Sequence, residues 1–133
     1  MPWMIAGQRI GYVRPIFAAE LVAYPEVFQV SQGQVELLPV LDSFTSRSAA
    51  LAEVAEDLAA RKVIMPLLGE PYPVTLGERE AAQASIDRVA AAYFGLRSFG
   101  QHLNGYVRTP QGIGLWIGTR AKNRTLYPGA LDN

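Results

Sequence analysis

Positive charge and aromatic residues come together in the last third of the chain. Residues 97–133 carry five cations against a single acid, Asp132, whereas residues 1–96 carry seven cations and eleven acids. The five cations of the last third are Arg97, Arg108, Arg120, Lys122 and Arg124. A cationic section beside aromatic side chains is typical of a site for a small anionic ligand, such as a phosphate ester. Oppositely charged parts of one fold also attract each other, so the charge pattern leaves both interpretations open.

Two other sets of residues have side chains suited to catalysis or metal binding but lack the partner residues that these roles need. His102 is the only histidine and is a candidate general base, although a lone histidine in a strand is more often structural. No spacing supports a Ser–His–Asp triad around it. Glu53, Glu56 and Asp57 lie close together in the sequence, but no histidine or further acid joins them. We therefore interpret these three acids as a solvent-exposed helix face and not as a metal site.

Composition predicts an ordinary folded domain. The chain has 133 residues, of which 50% are hydrophobic and 18% are charged, as expected for one soluble domain. Cysteine is absent, which excludes disulfides, thiolate metal ligands and a cysteine nucleophile, and fits a reducing compartment. The first residues lack the pattern of a secretory signal, and no apolar run reaches the roughly 18 residues that span a bilayer. We therefore expect a cytoplasmic protein.

The first elements are predicted to be short. A strand over 10–14 is followed by a helix over 16–23, with Pro15 at its first position, where a missing N–H is tolerated. Residues 27–30 and 35–40 then form the two strands of a hairpin, because turn residues separate two apolar runs.

A longer helix follows the hairpin and is predicted to end near Arg61. Three residues are candidates for its N-cap, namely Ser43, Thr45 and Ser46. Apolar residues three and four positions apart predict one buried stripe, formed by Leu51, Val54, Ala55 and Leu58.

The second half of the chain is predicted to hold the longest helix and a second hairpin. A proline-rich connection with a short edge strand over 72–76 leads into a helix over 77–94, which Gly95 ends. The inward face of this helix is predicted to be Ala82, Ile86, Val89, Ala90 and Tyr93. Extended segments over 96–107 and 113–119 then form a hairpin. The expected fold class is α+β, with about three helices on a small mixed or antiparallel sheet.

Six short runs resemble the Nudix hydrolases of the thiamine-pyrophosphokinase-related type, which carry a domain of unknown function before the Nudix fold. Three runs lie in the last third of the chain: HLNGYV (102–107), LWIG (115–118) and YPGALDN (127–133). The other three are GYVRP (11–15), YPEVF (24–28) and FGL (94–96). The resemblance covers nearly the whole chain. It implies that residues 1–96 form the preceding domain and that residues 97–133 form the opening hairpin of a Nudix domain.

The resemblance also implies a function for the parent protein. Such hydrolases use magnesium to cleave a diphosphate, and the substrates implied here are thiamine diphosphate or a damaged analogue. The family's metal-binding glutamates are expected after Asn133, so this chain alone is expected to bind no magnesium and to be inactive. The Arg79–Glu80 pair is similar to part of the Nudix signature, but the acids that should surround it are missing, and we interpret it as the start of a helix.

Five residues are candidates for substrate binding under this resemblance. Arg120 and Lys122 follow a strand whose end approaches the substrate in Nudix folds, which makes them candidates for phosphate contact. Asn104, Tyr106 and Trp116 are candidates for a pocket that holds a flat ring. The alternatives are surface charge for the two cations and core packing for Trp116.

A second hypothesis of a different class stays open at this point. In this alternative the chain is a non-catalytic binding or assembly module that uses its basic C-terminal segment for an anion or a partner protein. The expected partners are a small phosphorylated molecule and a second copy of the chain, paired through the exposed C-terminal sheet edge. The neutral net charge and the lack of an apolar span argue against nucleic acid and membrane.

Overall fold

A four-stranded sheet forms the centre of the first part of the chain. Its strands are β1 (Pro2–Ile5), β2 (Gln8–Tyr12), β3 (Phe28–Val30) and β4 (Val35–Leu37). They lie in the order β2-β1-β4-β3, and only the pair of β1 with β4 is parallel. The hairpin of β3 with β4 confirms the sequence prediction. The computed structural model describes residues 1–98, 100, 103–123 and 127–132.

The sequence patterns do not predict strand β1, because the turn that connects it to β2 has an uncommon sequence. Ile5 pairs with Gln8, so Ala6 and Gly7 alone connect β1 to β2. Both residues have positive φ, 48° for Ala6 and 75° for Gly7. Two-residue hairpin turns of this kind favour Asn-Gly or Asp-Gly, and Ala-Gly gives a weaker signal.

Three helices complete the described elements of the first part. They are α1 (Pro15–Leu21), α2 (Phe44–Ala60) and α3 (Arg88–Tyr93). Helix α2 confirms both its predicted cap and its stripe: Ser43 and Ser46 form a reciprocal capping box, and the four stripe residues are buried. The three acids beside the stripe are exposed, which confirms their interpretation as a solvent-exposed face.

The predicted helix over 77–94 is wrong. A 3₁₀ turn (Arg79–Ala81) and strand β6 (Ala84–Asp87) occupy most of this segment, and only its end is helical, in α3. Strand β6 pairs antiparallel with β5 (Pro71–Val74). Burial alternates along β6, with Ala84 and Ile86 buried, so a period of two prevails here over helix propensity. The Asp87 side chain accepts from the Val89 amide at 2.8 Å and starts a separate helix.

Aromatic rings from four separate elements form the centre of the core. Phe94 lies 4.8 Å from Trp3, 5.2 Å from Phe17 and 5.8 Å from Phe28, measured between ring centroids. Phe94 directly follows α3, and Gly95 after it has a φ of 60°. Gly95 and Leu96 donate to the carbonyls of Ala92 and Ala91, which confirms the predicted glycine end of the helix.

The second part of the chain contains only strands among its described residues. They are β7 (Tyr106–Thr109), β8 (Gly112–Leu115), β9 (Gly118–Thr119) and β10 (Leu131–Asp132). β7 pairs with β8, and β9 pairs with β10, both antiparallel. The β7–β8 hairpin confirms the predicted pairing, but its strands are shorter than the predicted segments 96–107 and 113–119. Gly118–Thr119 forms the separate strand β9, and β10 is not among the predicted strands. By its contacts the chain divides into two units, Met1–Ser98 and Phe99–Asn133.

The fold class is α+β, as predicted from the sequence. Three helices accompany small, mostly antiparallel sheets in the described part of the chain. No helix found there combines the length and the apolar character that crossing a membrane requires.

Candidate functional site

The backbone of Arg120, directly after β9, is hydrogen-bonded to the segment that leads into β10. Its amide donates to the Ala130 carbonyl at 2.8 Å, and its carbonyl accepts from the Gly129 amide at 3.2 Å. Its Nη1 donates to Oδ2 of Asp132 at 2.8 Å, and the Arg120 side chain is 30% exposed. These contacts place the guanidinium at the end of a short ribbon, in a defined position at the surface.

The guanidinium of Arg120 keeps hydrogen-bonding capacity. Its Nε is buried and has no hydrogen-bond partner, and Nη2 has none among the residues that the structure describes. A buried donor without a partner costs about 1–3 kcal/mol. An anion that reached this group would supply acceptors, and it would compete with Asp132 for Nη1. The arrangement is therefore suited to binding a phosphate or carboxylate.

Trp116 lies against glycine and presents its indole to solvent. Its amide donates to the Gly105 carbonyl at 2.9 Å, and a Cβ built on Gly105 would lie 3.5 Å from Cδ1 of the indole. The side chain is nevertheless 73% exposed. The alternative of core packing for Trp116 is therefore wrong, because most of the side chain is exposed in the described part of the chain.

Arg120 and Trp116 line the same depression, which has a volume of about 440 Å³. Its lining is Leu103, Gly105, Trp116, Gly118, Thr119, Arg120 and Asp132. An exposed indole and a guanidinium with available donors thus share one concave surface. A ring could pack on the indole while an attached anionic group reaches the guanidinium.

The other sequence candidates do not line this depression. Asn104 lies between two lining residues, and Lys122 is exposed two residues after Arg120. Tyr106 pairs with Leu115 in the β7–β8 hairpin and is 59% exposed. The candidate general base, His102, lies outside the described residues. The role of all five candidates in substrate binding stays a prediction.

Sequence reasoning missed Asp132 and Gly105 as parts of the site. Asp132 pairs with Arg120 across twelve residues. The available signal was that it is the only acid in a section with five cations. Gly105 gave no chemical signal, since it lines the depression through its backbone and its carbonyl accepts from the Trp116 amide.

The described residues do not fit a magnesium site. They contain no group of three or more histidine, cysteine, aspartate or glutamate side chains placed to hold a metal. On α2, Asp57 accepts from the Tyr24 hydroxyl at 2.5 Å and lies 3.5 Å from Nη1 of Arg61. We therefore derive no metal-dependent step from these residues.

Shifted pKa values occur away from the depression, where the end of α2 meets α1. Burial raises the pKa of Tyr24 above its ordinary value, and its hydrogen bond to Asp57 raises it further. The bond to Tyr24, followed by the bond to Glu20, raises the pKa of Arg61. Arg61 donates to Glu20 at 2.6 Å and to Tyr24 at 3.0 Å. This cluster joins two helices through exposed side chains, and we assign it a structural role.

Known proteins match this chain along its whole length. It is 37% identical over 135 residues to Nudix hydrolase 24, chloroplastic, and 33% identical over 142 residues to Nudix hydrolase 20, chloroplastic, both from Arabidopsis thaliana. Each alignment covers 100% of this chain but only 37% and 38% of the relative. An uncharacterized protein of Saccharomyces cerevisiae is 25% identical over 137 residues, which is 96% of this chain and 40% of the yeast protein.

These relatives correct one prediction and support another. Two of their names specify the chloroplast, so the expectation of a cytoplasmic protein is wrong. The absence of cysteine, on which it partly rested, carries no information about which compartment a protein enters. The relationship to Nudix hydrolases that the short runs indicated is present, and Nudix hydrolases as a family imply a divalent metal in the parent protein.

The first unit matches a known protein domain family. Residues 1–98 match the domain of unknown function DUF4743, and the first compact unit also ends at Ser98. The assignment of residues 97–133 to the opening of a Nudix domain stays a prediction. The chain therefore belongs to the DUF4743 family, the domain of unknown function found ahead of the Nudix fold in Nudix-related proteins.

Proposed function

We propose that this chain is the leading part of a Nudix-type pyrophosphohydrolase and that its second unit helps to bind the diphosphate substrate. The observation that supports this proposal most strongly is that Arg120 and Trp116 line the same depression. The names of the two plant relatives support the hydrolase class. The chain spans about two fifths of the length of these relatives, so catalysis by the whole protein is part of the proposal.

The substrate proposed is thiamine diphosphate or a damaged analogue. Nη2 of Arg120 would donate to a phosphate oxygen, because a guanidinium forms strong charge-assisted hydrogen bonds with phosphate. The thiamine rings would pack on the exposed indole of Trp116, which favours a flat cationic ring. Lys122 would add a point charge nearby. Asn104 and Tyr106 would contact the ring side of the ligand.

Catalysis is proposed to need residues other than those described here. Magnesium would be held by the remainder of the Nudix domain, where it would neutralise the phosphates and activate water. We expect no magnesium-dependent phosphate release from thiamine diphosphate by this chain alone. Release that stops on chelation would contradict this part of the proposal.

Tryptophan fluorescence provides a direct test of the proposed binding site. The chain has two tryptophans; Trp3 is fully buried and Trp116 is 73% exposed, so quenching by thiamine diphosphate reports on Trp116. We expect saturable quenching that Arg120→Gln weakens about tenfold or more, as for loss of a charge-assisted bond. Arg108→Gln is the matched control, because Arg108 is exposed and does not line the depression.

Two outcomes would contradict the proposed site. Quenching that is equal in Arg120→Gln and Arg108→Gln would show only a general effect of charge. Absence of saturable quenching in the unaltered chain would remove the binding role of this depression, while leaving the family assignment intact.

A second candidate function, assembly, is favoured by exposed apolar residues in the second unit. Ile113 is 68% exposed, Leu115 63% and Ile117 57%. Among the described residues, strands β7 and β8 pair only with each other, so each has an open edge there. Open edges beside apolar side chains favour pairing with another strand. We propose that two copies of the chain pair through this hairpin.

The mass of the chain in solution tests the assembly proposal. We expect light scattering after gel filtration to give twice the monomer mass of 14.5 kDa. Ile113→Lys should return the chain to a monomer, because it places charge on the hairpin, whereas Ile16→Lys should not, since Ile16 is exposed in α1. A monomer at high concentration would contradict pairing.

A further inference from the structure

An extra residue in β2 brings Arg9 and Tyr12 to the same face of the strand. Trp3 pairs with Gly11 and Met4 pairs with Arg9, so Ile10 is the additional residue of a bulge. Side chains normally alternate along a strand, and a bulge shifts that alternation by one position. Arg9 consequently donates from Nη1 to the Tyr12 hydroxyl at 2.7 Å. Its guanidinium carbon lies 4.8 Å from the centroid of the Tyr12 ring.

Two glycines bring the end of β2 against the end of α3. A Cβ on Gly95 would lie 1.8 Å from the Tyr12 carbonyl oxygen, and a Cβ on Gly11 would lie 2.6 Å from the Phe94 carbonyl oxygen. The Tyr12 amide donates to the Gly95 carbonyl at 3.4 Å. Only residues without side chains permit this approach of two backbones. The approach fixes Tyr12 relative to the residues at the end of α3.

A cavity of about 420 Å³ lies where these segments meet. It is lined by Tyr12, Arg14, Phe17, Ala92, Tyr93 and Gly95. Its volume is within the range of roughly 300–1,000 Å³ that small-molecule sites occupy. All of its lining belongs to the DUF4743 unit, whereas the lining of the depression at Arg120 belongs to the second unit.

Arg14 supplies this cavity with an unused cation. Among the residues that the structure describes, its guanidinium makes no hydrogen bond and no ion pair. By contrast, Arg61 and Arg88 each pair with a carboxylate. Arg14 is exposed at the junction of β2 and α1, and it is therefore free to bind a ligand that enters the cavity.

We propose that this cavity binds a small molecule in which an anionic group is attached to a flat ring. The Arg14 guanidinium would hold the anion, whether phosphate or carboxylate, in a two-point contact. Arg9 covers one face of the Tyr12 ring, so the ligand ring would pack on the other face, towards Tyr93. This site would give the DUF4743 unit a binding role of its own, independent of the proposed site at Arg120.

Titration of the full chain with phenyl phosphate tests this proposal. The titration is monitored through the NMR signals of the backbone amides. We expect saturable shifts that include the amides of Tyr12 and Gly95. Arg14→Gln should weaken binding about tenfold or more. The matched control is Arg79→Gln, which removes an equal charge from an exposed position outside the cavity and should change nothing.

Two further ligands and one further variant separate the contributions. Inorganic phosphate should bind more weakly than phenyl phosphate, and Tyr12→Leu should reduce that difference, since both remove the ring contact. Benzoate that binds as well as phenyl phosphate would support an anion site that accepts carboxylates; benzoate that does not bind would support a phosphate site. Thermal unfolding of Arg14→Gln should match the unaltered chain, because the exposed side chain makes no hydrogen bond or ion pair among the described residues.

Three results would overturn the proposal. The first is absence of saturable shifts with phenyl phosphate. The second is equal weakening by Arg14→Gln and Arg79→Gln, which would indicate diffuse charge. The third is loss of the shifts in Arg120→Gln but not in Arg14→Gln, which would place the anion site in the second unit and leave the function proposed there unaffected.

Discussion

At the scale of single residues, the candidate chemistry of this chain depends on arginines that keep donors available. Arg120 binds Asp132 through one nitrogen and has a buried Nε without a partner. The Arg14 guanidinium has no hydrogen bond or ion pair among the described residues. Both lie in concave surfaces beside an aromatic side chain. The two units thus each carry a cation beside an aromatic ring, in contrast to the paired arginines of the helices.

Gly95 is the single residue whose replacement should damage the first unit most. Gly95→Ala would place a side chain in a left-handed conformation, with φ at 60°, and 1.8 Å from the Tyr12 carbonyl oxygen. We expect a loss of about 3 kcal/mol or more in the free energy of unfolding, since strain and steric overlap act together. Chemical denaturation measures this loss.

Gly33 provides the control for that substitution. A Cβ on Gly33 would have no atom within 4 Å, and its φ lies outside the left-handed region. Gly33→Ala should change the free energy of unfolding by less than about 1 kcal/mol. Equal effects at Gly33 and Gly95 would contradict the close approach of β2 and α3.

At the scale of elements, sequence patterns predicted α2 well and the segment after it poorly. Helix α2 has both a cap at Ser43 and a stripe of period 3.6, and these two independent signals agree. The segment 77–94 is rich in alanine, which favours helix, yet Ala84–Asp87 pairs with β5 instead. The buried face of this strand consists of only Ala84 and Ile86, so its alternation is a short signal and helix propensity outweighed it.

The candidate site was predictable only in part, because its geometry depends on how strands pair. Arg120 and Trp116 stood out because charge and aromatic character are visible in a sequence. Their common depression depends on β10, which returns to pair with β9 across eleven intervening residues, 120–130. The cavity at Arg14 was not predicted, because it depends on a bulge in β2 and on the contact between Gly11 and Gly95.

Asp87 connects three elements, and its replacement tests the corrected structure of residues 77–94. Its carboxylate accepts from the amides of Leu68, Gly69 and Val89 at 3.1, 2.8 and 2.8 Å. We expect Asp87→Ala to cost about 1–2 kcal/mol of unfolding free energy, as for loss of a helix cap. Glu26→Ala at an exposed position should cost less than about 0.5 kcal/mol. A continuous helix over 77–94 would make both changes nearly neutral.

At the scale of the whole molecule, the two units differ in how they are stabilised. Every fully buried hydrophobic side chain among the described residues lies between Trp3 and Phe94. The described strands of the second unit are exposed along most of their length. The first unit therefore contains its own hydrophobic core, whereas the second is organised by backbone pairing and by the bond of Arg120 to Asp132.

This difference predicts that residues 1–98 fold without the rest of the chain. A protein limited to these residues should keep the thermal midpoint of the full chain to within about 4 °C, because no core side chain is removed. Circular dichroism during heating measures the midpoint. Loss of a cooperative transition in the shorter protein would show that the second unit contributes to the stability of the first.

The central proposal is that this chain recognises a diphosphate, whereas the residues for metal chemistry would lie in the rest of a Nudix hydrolase. Calorimetric titration of the chain with thiamine diphosphate, with and without magnesium, tests it most directly. We expect saturable binding that Arg120→Gln weakens, with the same affinity in both conditions. Binding that requires magnesium, or no binding in either condition, would contradict the claim that the residues at Arg120 and Trp116 recognise the substrate by themselves.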